Sequence, residues 1–130
     1  MSKIPSDLRY TKSHEWVRQV PSGQFEIGIT DHAQSALGDL VFAEVPEAGR
    51  ELQAGEACAV VESVKAASDV YSPMSGKVIA GNTVLSSQPE LLNEDPYGAG
   101  WLFRMEATLA ADVALLSAAA YETYVADESE

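Results

Sequence analysis

Cysteine is almost absent from this chain of 130 residues: Cys58 stands alone, so no internal disulfide can form. Histidine is nearly as scarce, and His14 and His32 together with Cys58 give no credible zinc-ligand spacing, so no metal site is expected. Basic residues are few. Against 20 Asp and Glu there are only 8 Lys and Arg, a formal charge of −12. That balance opposes binding to nucleic-acid phosphates or anionic membranes; it either favours basic partner surfaces or simply maintains solubility. No apolar run approaches the length of a bilayer span, and the N-terminus has neither a signal-peptide core nor an arginine-rich presequence. A soluble cytoplasmic protein is expected; a mature organellar chain is the alternative, and the initiating Met1 weighs against it. A long Pro/Gly/Ser linker is missing too, which favours a free-standing unit over a tethered module. Spacing supports no nucleophile–base pair: Ser13, His14 and Glu15, read as consecutive strand residues, would point to alternate faces, so no catalytic residue is assigned.

What is present is a series of short β-like segments in a chain long enough for one domain, 1–130, with a real core. They run from Glu15 to Val20, Gln24 to Ile29, Leu40 to Val45, Ala57 to Val64, Ser68 to Tyr71, Gly76 to Ala80 and Trp101 to Ala107. Turn signals separate them, among them Pro21-Ser22-Gly23, Pro46-Glu47-Ala48-Gly49 and Pro73-Met74-Ser75-Gly76. This pattern predicts a mainly β sandwich or barrel with short helices. Thr30 as N-cap, Asp31 in the first turn and Gly38 at the end predict a helix over Asp31 to Leu37, with His32 in its first turn. Pro89 to Leu92 reads as a brief helical turn. Val113, Leu116, Ala120 and Tyr124 recur at spacings of three and four, predicting a C-terminal helical segment around 110–126 with Ser117 as an internal cap and a frayed end. Cys58, in the run Ala57-Cys58-Ala59-Val60-Val61, is expected to be a small core residue, and Trp16 and Trp101 to pack in the core or at its edge.

The richest stretch is Val60-Val61-Glu62-Ser63-Val64-Lys65-Ala66-Ala67-Ser68-Asp69-Val70-Tyr71-Ser72-Pro73, which sets one lysine among small and β-branched residues. By spacing alone Lys65 is a polar residue on a strand, and no Gly, Asn or Pro marks a hairpin turn there. Its primary amine on a flexible stem nevertheless suits acylation, and Ala66 and Ala67 leave an enzyme room to reach it.

Glu-Ser-Val-Lys-Ala followed by Ser-Asp-Val-Tyr-Ser-Pro resembles the modification hairpin of the glycine cleavage H-protein family of lipoyl carriers. The likeness extends in order through Tyr10 to Val17, Ile27 to Gln34, Leu37 to Phe42, Pro73 to Val78, Asn93 to Gly98 and Gly100 to Leu102. Biotin carriers typically place their lysine between two methionines, whereas Val64 and Ala66 flank it here, which favours lipoate. The resemblance implies a barrel-sandwich hybrid of the lipoyl/biotinyl-carrier kind, with the modification hairpin around 57–73 and a monomeric state. It implies lipoate in amide linkage on Lys65, added by lipoate-attaching enzymes, on a carrier that is itself no enzyme. The partners implied are the P protein (glycine decarboxylase), the T protein (aminomethyltransferase) and the L protein (dihydrolipoyl dehydrogenase), between which the arm shuttles an aminomethyl group. It further places the loaded arm in a cleft bordered by Ser13, Glu15 and Asp69, whose carboxylates would keep the carried amine protonated. The rival readings are an H-like carrier serving lipoyl relay and a lipoyl domain of a 2-oxo acid dehydrogenase.

Overall fold

Thr30 has a backbone bent away from helical geometry and a hydroxyl that accepts from the Ala33 N–H, so the chain turns from strand to helix where the capping signal lies. The computed structural model describes residues 4–20, 23–106 and 115–128. Within these, β1 (Arg9–Tyr10), β2 (Glu15–Val20), β3 (Gln24–Ile29), α1 (Asp31–Leu37), β4 (Leu40–Glu44) and β5 (Glu51–Leu52) are followed by β6 (Ala57–Ser63), β7 (Ala67–Tyr71) and β8 (Gly76–Gly81). A 3-10 turn (Thr83–Ser86), α2 (Leu91–Glu94), β9 (Phe103–Glu106) and α3 (Ala118–Glu128) complete the order.

The strands form two antiparallel sheets, one ordered β1-β2-β3-β9-β8-β5 and the other β4-β6-β7. Between them lies a core that includes Ile27, Val61, Val70, Met74, Val78, Phe103 and Met105. A satellite cluster of Leu8, Tyr10, Trp16 and Tyr121 lies beyond the β1–β2 edge. Trp16 and Gly28 are cross-strand partners, and the indole occupies the space that a side chain on Gly28 would need, since a Cβ there would lie 2.7 Å from the ring. The indole N–H donates to the Pro96 carbonyl at 2.8 Å, so burial leaves it satisfied. Across β2-β3-β9 the register aligns Arg18, Glu26 and Arg104. Glu26, 8 % exposed at its side chain, receives both guanidinium groups at 2.8 Å, and the cations stack over Trp16 and Trp101. Glu26→Gln should lower unfolding free energy in urea by about 2 kcal/mol, because one carboxylate serves two charged donors; a loss below about 0.5 kcal/mol would mean that solvent already screens the triad.

Several sequence expectations need correction. The two-residue β1 and β5 and the 3-10 turn carry too little pattern to read from sequence. The strand expected from Trp101 starts at Phe103, with Trp101 half-buried under Arg104, and Ala107 lies outside the described residues. The helical turn expected over Pro89 to Leu92 begins at Leu91. Of the C-terminal segment, 110–114 lies outside the described residues, and so does Val113. The helix starts only at Ala118, because Leu116 is drawn into a bridge with Tyr10. Ser117 therefore caps the N-terminus, accepting from the Ala120 N–H, instead of interrupting a longer helix. Ala120 is exposed, and Tyr121 supplies the buried anchor. Helix continues to Glu128 where fraying was expected, and Pro21 and Ser22 of the first turn signal fall outside the described residues.

Candidate functional site

β6 and β7 pair from Ala57↔Tyr71 to Glu62↔Ala67 and hand the chain over through Ser63, Val64, Lys65 and Ala66. The turn closes without the usual Asn-Gly because Ser63 locks it. Its backbone N–H donates to the Ala66 carbonyl at 2.7 Å, while its hydroxyl accepts from the Lys65 and Ala66 N–H groups at 3.3 and 3.0 Å. Ser63 was the available sequence signal for this turn, a side chain that substitutes for backbone turn chemistry. Val64 and Lys65 stand exposed at the tip, followed by the small, exposed Ala66 and Ala67.

The lysine stem passes over the C-cap of α1. Gly38 has φ 89, and a Cβ built on it would lie 3.4 Å from Lys65 Cε and 3.9 Å from Nζ. Gly38 was legible as a helix terminator; that its backbone forms a shelf beside the lysine stem was not, and its positive φ, rather than room for the stem, is what calls for glycine there. Asn93 fixes that shelf by donating to the Gly38 carbonyl and accepting from the Leu40 N–H.

The other expected site residues separate into two environments. Ser13 and His14 belong to the turn before β2, so strand alternation does not apply to them, and β2 begins at Glu15. His14 is the one non-glycine residue with positive φ among the described residues, and its Nδ1 lies 2.7 Å from the Tyr121 hydroxyl. That conformation lets Ser13 and Glu15 meet: the exposed serine donates to Glu15 Oε1 at 2.7 Å, and Thr11 donates to the same oxygen at 2.6 Å. Glu15 is only 2 % exposed, and its Oε2 accepts from the Tyr71 N–H of β7. The expected arm-facing carboxylate is therefore turned inward, tying the β2 turn to the hairpin that carries Lys65. Asp69, two residues from Tyr71, keeps its carboxylate at the surface.

Burial raises the Glu15 carboxyl above its ordinary 4.5, while the bonds from Thr11, Ser13 and the Tyr71 N–H oppose that rise. The folded chain thus holds this proton more tightly than the unfolded chain. Glu15's contribution to stability falls as pH climbs from 4.5 toward the raised folded-state value and is level above it. In urea titrations across that window, the stability advantage of wild type over Glu15→Gln should shrink with rising pH; an advantage that grows would reverse the assignment. Cys58 is buried and its thiol is pushed up to about 12, which leaves it an inert core residue.

Two β-sheets around one core, with a lysine exposed at a serine-locked hairpin tip, form a barrel-sandwich hybrid of the lipoyl/biotinyl-carrier kind. The glycine cleavage H-protein family profile matches residues 8–128. The glycine cleavage system H protein of Halorhodospira halophila is 58% identical over 98% of this chain and 99% of its own. That of an Azoarcus species is 59% identical over 98% and 100%. The crystal structure of a glycine cleavage system H protein from Mycobacterium marinum superposes with a TM-score of 0.84 at 40% identity, covering 98% of this chain and 100% of the other. The chain belongs to the glycine cleavage H-protein family.

Proposed function

We propose that this chain is the lipoyl carrier of a glycine cleavage system, with lipoate attached through an amide to Lys65 Nζ. The observation that carries the assignment is Lys65 itself: exposed on a locked turn, with small residues after it and the Gly38 backbone beside its stem. These features fit a long acyl arm, because the lysine is exposed and the residues that follow it, Ala66 and Ala67, are small and exposed. Once attached, the dithiolane supplies a disulfide that can accept a reduced one-carbon fragment and be restored by oxidation. The protein's part is to hold that arm at a fixed point and deliver it to the P, T and L proteins in turn, which replaces free diffusion with docking. It supplies no reacting side chain of its own.

Ser13, Glu15 and Asp69 are proposed to shape the resting place of the arm. Asp69 supplies the exposed negative charge that favours a protonated amine, while Glu15 positions the Ser13 turn from below through the bonds already described. With glycine and the decarboxylase but no aminomethyltransferase, Asp69→Asn should raise formaldehyde release several-fold, about 1 kcal/mol for a partly exposed pair; unchanged release would remove Asp69 from this role.

The carrier reading is tested by supplying the lipoylated chain with glycine and purified glycine decarboxylase. Carbon dioxide release and a glycine-derived mass increase on the carrier are expected. Loading by a 2-oxo acid dehydrogenase complex with none from glycine would favour the lipoyl-domain alternative.

A further inference from the structure

The register of the three-stranded sheet places Phe42, Glu62 and Ala67 in one row and Glu44, Val60 and Asp69 in another row on the same face. The row between them, Ala43, Val61 and Ser68, points the other way, with Ala43 and Val61 buried in the core. On the outward face Phe42, on the edge strand β4, is 44% exposed, and Val64 at the hairpin tip is 78% exposed. β4, β6 and β7 contain no Lys, Arg or His. Arg50 reaches the start of β6 at the Glu44 end, where it is paired with Glu56 at 3.2 Å; at the other end stands Lys65, whose charge disappears when its amine becomes an amide. The modified protein therefore shows a face with an aromatic on its β4 edge, aliphatic surface beside it and three carboxylates, its one neighbouring cation, Arg50, being paired with Glu56.

We propose that this outer face, beginning at the lysine tip, is the surface by which the carrier docks, and that it takes an enzyme surface with an apolar depression for Phe42 surrounded by arginine or lysine side chains. Charge complementarity argues for that occupant. A second copy of this chain is the wrong occupant, because two such faces would set Glu44, Glu62 and Asp69 against their own kind. Phe42 is the anchor: an exposed aromatic flanked by Glu44 along its strand and Glu62 across from it is where truncation costs most. Loss of the lysine charge on acylation strengthens the anionic character of the face, so the enzyme prefers the modified chain to the unmodified one.

The inference rests on the carrier function proposed above, and its test keeps the two apart. Full-length lipoylated chain, its modification verified by intact mass, is titrated against glycine decarboxylase at several salt concentrations. Phe42→Ser and the pair Glu44→Lys/Glu62→Lys should each raise KM for the carrier about tenfold while kcat at saturation and thermal stability stay close to wild type. The pair Glu90→Lys/Glu122→Lys, exposed carboxylates away from this sheet, makes the same change in net charge and should leave KM within about twofold. Wild-type KM should rise with salt, and the Glu44→Lys/Glu62→Lys response should be flatter. Unchanged KM in the Phe42 variant, or an equal effect of the distant pair, overturns the docking face while glycine loading persists. A dimer in sedimentation that Phe42→Ser dissociates also overturns it, in favour of self-association. Absence of glycine loading by the wild-type chain at any concentration would instead mark failure of the carrier function.

Discussion

Lys65→Arg is expected to reduce glycine cleavage supported by this chain to the level seen with no carrier present, while leaving the fold intact. The guanidinium keeps the positive charge and most of the stem length, but it is a poor acyl acceptor, so only the attachment chemistry is removed. The site tolerates the change: residue 65 is exposed, and the turn is held by Ser63 through backbone groups. The urea midpoint should move by less than about 0.5 kcal/mol equivalent, as for other surface substitutions. Incubation with lipoate and an attaching enzyme should give no mass increase. Lipoylation of the arginine variant, or full glycine cleavage without it, would show that the arm sits elsewhere.

Tyr121→Ala is expected to be the most damaging single change outside the main core, costing about 4 kcal/mol in urea denaturation. Tyr121 is fully buried, its ring stacks on Tyr10 at 4.6 Å, and its hydroxyl lies 2.7 Å from His14 Nδ1 and 2.8 Å from Thr30 Oγ1. It therefore fastens α3 at once to β1, to the turn before β2 and to the N-cap of α1. Tyr121→Phe keeps the stacking and loses only the hydroxyl contacts, so about 1–2 kcal/mol is expected. The damage should reach the hairpin, because His14 lies between Ser13 and Glu15, and Glu15 holds the Tyr71 N–H. Hydrogen exchange at Tyr71 should accelerate in the alanine variant. A destabilisation below about 1 kcal/mol would mean that α3 is merely laid on the surface.

Residue pattern alone located β2, β3 and α1, because each combines apolar periodicity with local signals such as Thr30 and Gly38 that act within a few residues. It also foresaw a C-terminal helix but not that Leu116 lies outside it, for a physical reason: Leu116 has the spacing of a helix-face residue, yet its backbone pairs with Tyr10, a contact more than a hundred positions away in sequence. The same limit applied at the site. The small residues around Lys65 were legible, and family resemblance placed the turn. The serine that locks it was in view but unread, because a hydroxyl bonding to two following N–H groups is a weaker signal than Asn-Gly. The family resemblance set Glu15 at the border of the arm cleft; its carboxylate is buried because Thr11, Ser13 and the backbone of β7 converge on it, which only the fold brings about.

The most direct test of the carrier account is peptide-level mass spectrometry of the protein purified from its own source. The account predicts one lipoyl group, confined to the peptide that contains Lys65 and lost when that residue is arginine. A lipoyl group on another lysine, a biotinyl group on Lys65, or a chain that remains unmodified while glycine cleavage proceeds would contradict it.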